Sequence, residues 1–222
     1  MMQRYFIFDF DSTITSVEAL DVLAEHKGAQ LTDEARLNLV QLIASLTSKA
    51  MQGDLSFRDA LKERMNALQL TKHDIDWLIP VLKTKISASF KEHKDFFQTH
   101  RDNIFVISGG FEEYIIPVVE EIGIKSEHVF ANRFIEQENG ILLADDEAAL
   151  SRDQGKVIAL QTLPLHGEII VIGDGYTDYE MKEKGKATQF ILYAEHCNRS
   201  DSIPQYDQII FSLHELLNSL HG

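Results

Sequence analysis

At 222 residues, with 44% hydrophobic and 25% charged side chains, the chain is sized and composed for a globular protein with a substantial core, which excludes fibrous and disordered classes. A formal net charge of −14 argues against a nucleic-acid partner, which needs a basic stripe on the protein. No apolar run approaches the roughly 20 residues needed to cross a bilayer, and the N-terminus lacks the basic, apolar and small-residue order of a signal peptide. No membrane partner is therefore expected. The single cysteine, Cys197, has no internal partner for a disulfide and fits a reducing compartment, read here as cytoplasmic.

The first element is the aromatic and β-branched run RYFIFDF, Arg4 to Phe10, which reads as a buried strand ending in acids. From about Ser16 to Leu82 apolar residues recur at intervals of three and four: Ala19, Leu20 and Leu23, then Leu37, Val40 and Ile43, then Phe57, Leu61, Met65 and Leu68. This stretch is expected to be helical, punctuated by Gly28, Gly53 and Pro80. A strand at Ile104 to Ile107 precedes Ser108-Gly109-Gly110, which is expected to open a helix from Glu112 to Glu121. Val129 to Leu143 alternates around Glu138, Asn139 and Gly140 as a hairpin would. A helix at Lys156 to Leu163, an apolar strand at Ile169 to Ile172 ending in GDG, and a strand at Phe190 to Tyr193 follow. Strands alternating with helices predict an α/β fold, a Rossmann-like parallel sheet flanked by helices.

Polar residues gather directly after those strands: Asp9 and Asp11, then Ser108 with two glycines, then Asp174 and Asp178. Ligands bind at the carboxyl ends of strands in open α/β sheets, so the clustering predicts one shared site. Each motif alone has a plainer reading. Asp9 and Asp11, two apart in extended chain, point the same way and would share a pocket, yet paired acids also open ordinary turns. Ser108-Gly109-Gly110 offers a hydroxyl and unobstructed N–H groups for a phosphate, or is a simple turn. GDGxxD can supply hard oxygen ligands or be a turn, and Lys156 would ordinarily be a solvated helix residue. An acidic chain that handles phosphate must find its positive charge locally, in a metal, a few basic side chains or helix N-termini.

In this order, DxDxT at Asp9, Asp11 and Thr13, then Ser108, Lys156, and GDGxxD at Asp174 and Asp178 resemble the haloacid dehalogenase superfamily over nearly the whole chain. The resemblance implies a haloacid dehalogenase-like core at 1–14 and 83–222, with an inserted helical cap at 15–82 that selects the substrate. It implies Asp9 as a nucleophile that forms an aspartyl-phosphate and Asp11 as general acid and then base. It also implies Mg2+ held by Asp9, the backbone carbonyl of Asp11 and Asp174, with Asp178 orienting that set, and phosphate contacts from Ser108, Gly109 and Lys156. A second aspartate suits an alkoxide leaving group, which favours phosphoryl transfer over dehalogenation. Asp11 needs a proton at neutral pH, so burial and neighbouring acids are expected to raise its pKa.

Within the superfamily, Glu18, seven residues beyond Asp11, and the segment Met51-x-Gly53-x-x-x-Phe57-x-x-x-Leu61-x-x-Arg64 resemble the phosphoserine phosphatase family. Glu18 would hold an ammonium and Arg64 a carboxylate, with Met51 and Phe57 as an apolar wall and Thr177 as a further substrate contact. The residues themselves leave other readings open. Arg64 has Ala60, Leu61, Ala67 and Leu68 at three and four, no acid among them, and could lay its stem along an apolar face. Glu18 could simply complement a helix N-terminus. Tyr176 and Thr177 stand where many members carry a small residue and asparagine, so Tyr176 either crowds the pocket or faces outward. No N-terminal regulatory extension is present, and feedback by serine through such a domain is not expected. The expected partner is a small phosphate ester, phosphoserine first. A sister phosphatase or phosphotransferase acting on another small ester is the nearer alternative, and a receiver-like phospho-acceptor module the more distant one.

Overall fold

A computed structural model describes residues 3–52 and 54–220. Its centre is a six-stranded, wholly parallel sheet in the order β3-β2-β1-β6-β7-β8. The strands are β1 (Arg4–Phe8), β2 (Ile104–Phe111), β3 (Val129–Asn132), β6 (Glu168–Gly173), β7 (Gln189–Tyr193) and β8 (Gln208–Ile210). In β1, Tyr5 and Ile7 enter one apolar cluster, whereas Phe6 and Phe8 enter another on the opposite face. A strand covered on both faces has no polar side to show, which is why RYFIF reads as a continuous apolar run.

Four helices, α1 (Ala19–Gly28), α2 (Asp33–Gln52), α3 (Phe57–Leu68) and α4 (Lys72–Lys85), are inserted between β1 and β2. In α3 the buried residues Ala60, Leu61, Met65 and Leu68 form one stripe, and Arg64 lies within it. Ser56 caps this helix by accepting a 3.0 Å bond from the Asp59 N–H. The chain enters and leaves the helical insertion side by side. Thr15 bridges Ile86 in antiparallel fashion, the Ser16 N–H donates to the Lys85 carbonyl and the Ser87 N–H to that of Ile14, both at 2.9 Å. Ser87, buried, also places its hydroxyl 3.1 Å from the Thr13 and Ile14 carbonyls.

The remaining helices are α5 (Ala88–Glu92), α6 (Lys94–Thr99), α7 (Glu112–Val119), α8 (Gly155–Thr162), α9 (Tyr176–Glu183) and α10 (Leu213–Leu220). Two expectations are corrected. Ser108-Gly109-Gly110 does not open a helix: β2 runs on to Phe111 with an irregular register against β3, and α7 starts only at Glu112. The expected hairpin divides, because Val129–Asn132 joins the parallel sheet as β3 while the antiparallel pair is β4 (Phe134–Glu136) with β5 (Leu142–Ala144). Among the described residues, no helix is long and apolar enough to cross a membrane.

Candidate active site

From β1 the chain proceeds to β2 and β3 on one side, while β6, β7 and β8 fill the other, so the gap between β1 and β6 is where the sheet reverses its winding. Crevices form at such points beyond the strand ends. Asp9 follows β1 and Asp174 follows β6, and the Asp9 N–H donates to the Ile172 carbonyl at 2.9 Å, which fixes the two loops together. Past Asp9 the backbone turns tightly through Phe10–Ile14, with Asp11 still extended and Ser12 left-handed at φ 53°. That turn brings the Ser12 hydroxyl to Glu18 Oε1 at 2.7 Å and lets Asp11 Oδ1 accept from the Ala19 N–H at 2.9 Å.

One cleft is lined by Asp9, Asp11, Glu18, Phe57, Arg64, Ser108, Gly109, Lys156 and Thr177, together with Leu20, Gly110 and Tyr114. At its floor the buried Lys156 ammonium, projecting from the first turn of α8, lies 2.8 Å from both Asp9 Oδ1 and Asp178 Oδ1. Burial works against the Lys156 charge, but Asp178 and Asp9 together outweigh it and raise its pKa. Two carboxylates sharing one ammonium cannot both be well compensated. Burial, and then the Asp9 charge, push the Asp178 carboxyl up to about 7 despite Lys156. A Cβ at Gly173 would stand 2.2 Å from the Asp178 carboxyl carbon, so the glycine before Asp174 makes room for this acid.

Asp9, Asp174 and Asp178 offer carboxylate oxygens within 4.8 Å of one another. Both Asp174 oxygens are buried and accept no hydrogen bond among the described residues, although Arg199 reaches Asp174 Oδ2 as an ion pair. Closely gathered hard oxygens, with Asp174 Oδ1 lacking a donor among the described residues, fit a divalent cation such as magnesium. Asp11, fully enclosed, has its pKa raised well above the carboxylate range by burial first and then by Glu18 and Asp9, with the Ala19 N–H and Arg64 opposing. A carboxyl shifted in this direction is suited to carrying a proton.

Ser108, within β2, accepts a 3.0 Å bond from the Gly110 N–H, which directs that amide at Ser108 and leaves the hydroxyl proton free to donate elsewhere. The Gly109 carbonyl is held by Asn132 Nδ2 at 3.0 Å. A Cβ at Gly109 would fall 2.3 Å from the Phe57 ring, so α3 rests directly on the strand end and no side chain fits between them. Thr177 Oγ1 is a buried hydroxyl without a partner among the described residues. Tyr176 does not line the cleft and packs instead toward Tyr179, ring centroids 5.8 Å apart, so it faces outward.

Arg64 is buried at 5% exposure, which sets aside the snorkelling reading. Its Nε donates to the Ala60 carbonyl at 3.2 Å, its Nη1 reaches Thr47 Oγ1 at 3.4 Å, and its Cζ stands 5.9 Å from the Phe57 ring centre. Burial lowers its pKa while Glu18 and Asp21 support its charge. Glu18 sits at the N-cap of α1, one residue before the helix, and is paired with Arg199 Nη2 at 3.3 Å. The side chain of Met51, and Gly53, lie outside the described residues.

Sequence reasoning passed over Arg199 and Tyr114. Arg199 comes from the loop after β7, more than twenty residues beyond GDGxxD, with no motif around it. Tyr114 sits in an apolar helix pattern in which a tyrosine reads as core.

The haloacid dehalogenase-like hydrolase family matches residues 6–183, and the chain belongs to that family. It is 32% identical over 217 residues to the chloroplastic phosphoserine phosphatase of Arabidopsis thaliana, covering 96% of this chain and 70% of that one. It is 33% identical over 177 residues to the phosphoserine phosphatase of Rattus norvegicus, covering 78% and 74%. A crystal structure of a phosphoserine phosphohydrolase-like protein from Francisella tularensis subsp. tularensis SCHU S4 superposes with a TM-score of 0.85 at 30% identity, covering 98% of this chain and 100% of the other. Within those hydrolases the chain is a member of the phosphoserine phosphatase family, and it is a phosphoric monoester hydrolase.

Proposed function

We propose that the chain hydrolyses O-phospho-L-serine to L-serine and phosphate, with the helical insertion at 15–82 acting as a substrate-selecting cap over a core of 1–14 and 83–222. The observation that carries this reading is the content of one cleft: the Asp9 carboxylate, the Asp11 carboxyl with its raised pKa, a buried guanidinium and a glutamate. A phosphate ester that also bears an ammonium and a carboxylate matches that set. The names of the relatives point to the same ester.

In the proposed reaction an Asp9 carboxylate oxygen attacks phosphorus, the bond from phosphorus to the serine oxygen breaks, and Asp11 gives its proton to that oxygen. Water then attacks the aspartyl-phosphate, Asp11 takes the proton back, and phosphate leaves with Asp9 restored. Lys156 holds Asp9 in place and, with Ser108, Gly109 and Thr177, receives the phosphoryl oxygens. Magnesium held by Asp9, the Asp11 backbone carbonyl and Asp174, with Asp178 alongside, would supply the positive charge that phosphoryl transfer draws on. Glu18 would take the ammonium, Arg64 the carboxylate in bidentate fashion, and Met51 and Phe57 would face the serine methylene. The place of such a reaction is serine biosynthesis, and the compartment read from Cys197 is the cytoplasm.

The test is phosphate release from a panel of small phosphomonoesters with magnesium, in which phosphoserine is expected to lead. An Arg64→Lys variant, with a point charge in place of the fork, is expected to raise KM for phosphoserine about tenfold or more while esters without a carboxylate change little. A low rank for phosphoserine would overturn the substrate and leave the chemistry of Asp9 standing.

A further inference from the structure

The Tyr114 side chain is wholly buried, yet its hydroxyl has no hydrogen-bond partner among the described residues. A buried hydroxyl without a partner is uncommon, because desolvating it is costly, and such groups often await a ligand. Its ring is fixed among Phe10 and Phe111, with centroids 6.1 Å away in each case, and Phe134 at 6.5 Å. The hydroxyl lies against Gly110, where an added Cβ would be 2.5 Å from the oxygen, so even an alanine there would displace it. Tyr114 lines the same cleft as Asp11, Glu18 and Arg64. Burial and then Asp11 raise its pKa well above the usual phenol range, so at neutral pH it carries its proton. The Phe111 N–H lowers that pKa somewhat but falls outside hydrogen-bond geometry, and as a donor it would in any case leave the phenol proton unplaced.

Four groups of the substrate could meet this O–H, of which the phosphoryl oxygens are taken by Lys156, Ser108 and Gly109 in the proposed reaction. The ester oxygen receives its proton from Asp11, and the ammonium offers only donors of its own. The carboxylate remains. It has about four acceptor positions, of which one guanidinium fork fills two. Two of the five Arg64 N–H donors are taken up by Ala60 and Thr47, so the carboxylate gains from another donor nearby. We infer that Tyr114 is a specificity residue whose hydroxyl donates a hydrogen bond to the substrate carboxylate beside Arg64. The inference rests on the phosphoserine reading and adds to it a neutral donor supplied by the core helix α7 rather than by the inserted helices.

The experiment compares Tyr114→Phe with the unaltered chain on phosphoserine and on phosphoethanolamine, which is the same ester without the carboxylate. The ratio of kcat/KM for phosphoserine over phosphoethanolamine is expected to fall about tenfold or more, equivalent to about 1.4 kcal/mol or more. In the same variant without ligand, the thermal midpoint is expected at or above that of the unaltered chain, since phenylalanine removes an unpaired buried hydroxyl. An unchanged ratio overturns the Tyr114 assignment alone. A lowered midpoint also overturns it, because the hydroxyl would then be bonded within the fold. If the unaltered chain does not prefer phosphoserine, both the substrate reading and this inference fall together.

Discussion

The two ends of the cleft are built on opposite plans. At the sheet end, Lys156 lies 2.8 Å from two carboxylates and Ser108 is bonded to Gly110, so these groups are fixed by one another before any ligand arrives, although Asp174 Oδ1 and the Thr177 hydroxyl beside them have no hydrogen-bond partner among the described residues. At the helical end, Arg64 retains unused donors and the Tyr114 hydroxyl has no partner among the described residues. On the proposed reading, the difference teaches that the reacting charges are preorganised in the core, while recognition is left to groups with donors to spare for the substrate.

The comparison breaks most visibly at Asp9. Asp9→Asn preserves shape and removes the attacking charge, and phosphate release is expected to fall on the order of 10⁴-fold or more in single-turnover assays. A folded variant with near-normal release would mean that the fixed end of the cleft is not where the reaction begins.

Lys156→Met examines the same end through stability. It leaves Asp9 and Asp178 buried without their shared cation, and breaking such a network by removing one member costs about 3–5 kcal/mol. Urea unfolding in the presence of a chelator reads this directly; a loss below about 1 kcal/mol would show that the cluster is not self-supporting.

A smaller effect separates the helical end. Asp21 on α1 accepts a 3.0 Å bond from Thr47, and burial, then Glu18, raise its carboxyl to about 6, above the ordinary 3.8. The folded state therefore holds this proton more tightly than the unfolded one. Its stability contribution is fully present below about 4 and is lost as pH rises through about 6. Asp21→Asn keeps the acceptor and removes the charge, so it is expected to stabilise the protein at pH 8 by at most about 3 kcal/mol and to confer no gain near pH 4. A gain of equal size at both pH values would remove Asp21 as its source.

How much of this was legible before folding differs by kind of residue. Asp9 and Asp174 could be read because each directly follows an apolar strand, and short buried strands announce themselves by composition; Asp11 and Asp178 were read from their spacing to those two. Glycine-rich Ser108-Gly109-Gly110 was misplaced because glycines carry little strand signal, and only pairing with β3 shows that β2 continues through them. The hairpin was half visible, since Val129–Asn132 alternates like its neighbours and only the sheet claims it. Tyr114 and Arg199 were illegible for another reason. Their significance lies in contacts made across the fold, with Asp11, Glu18 and Asp174, and no local pattern marks an orphaned hydroxyl or a bridging guanidinium.

Thr15 and Ile86 lie against each other, clasped by the backbone bonds of Ser16 and Ser87. A segment that departs from and returns to one spot is a loop already closed at its base. Its removal would leave two ends within bonding reach, and its replacement would have to refill the contacts that Phe57 makes at Gly109 and that Leu61 and Met65 make in the shared core. On the proposed reading the selecting part is then a cartridge, joined to the rest through a single doorway in the chain, and an exchange of inserted helices at that doorway would leave the chain path of the sheet unbroken.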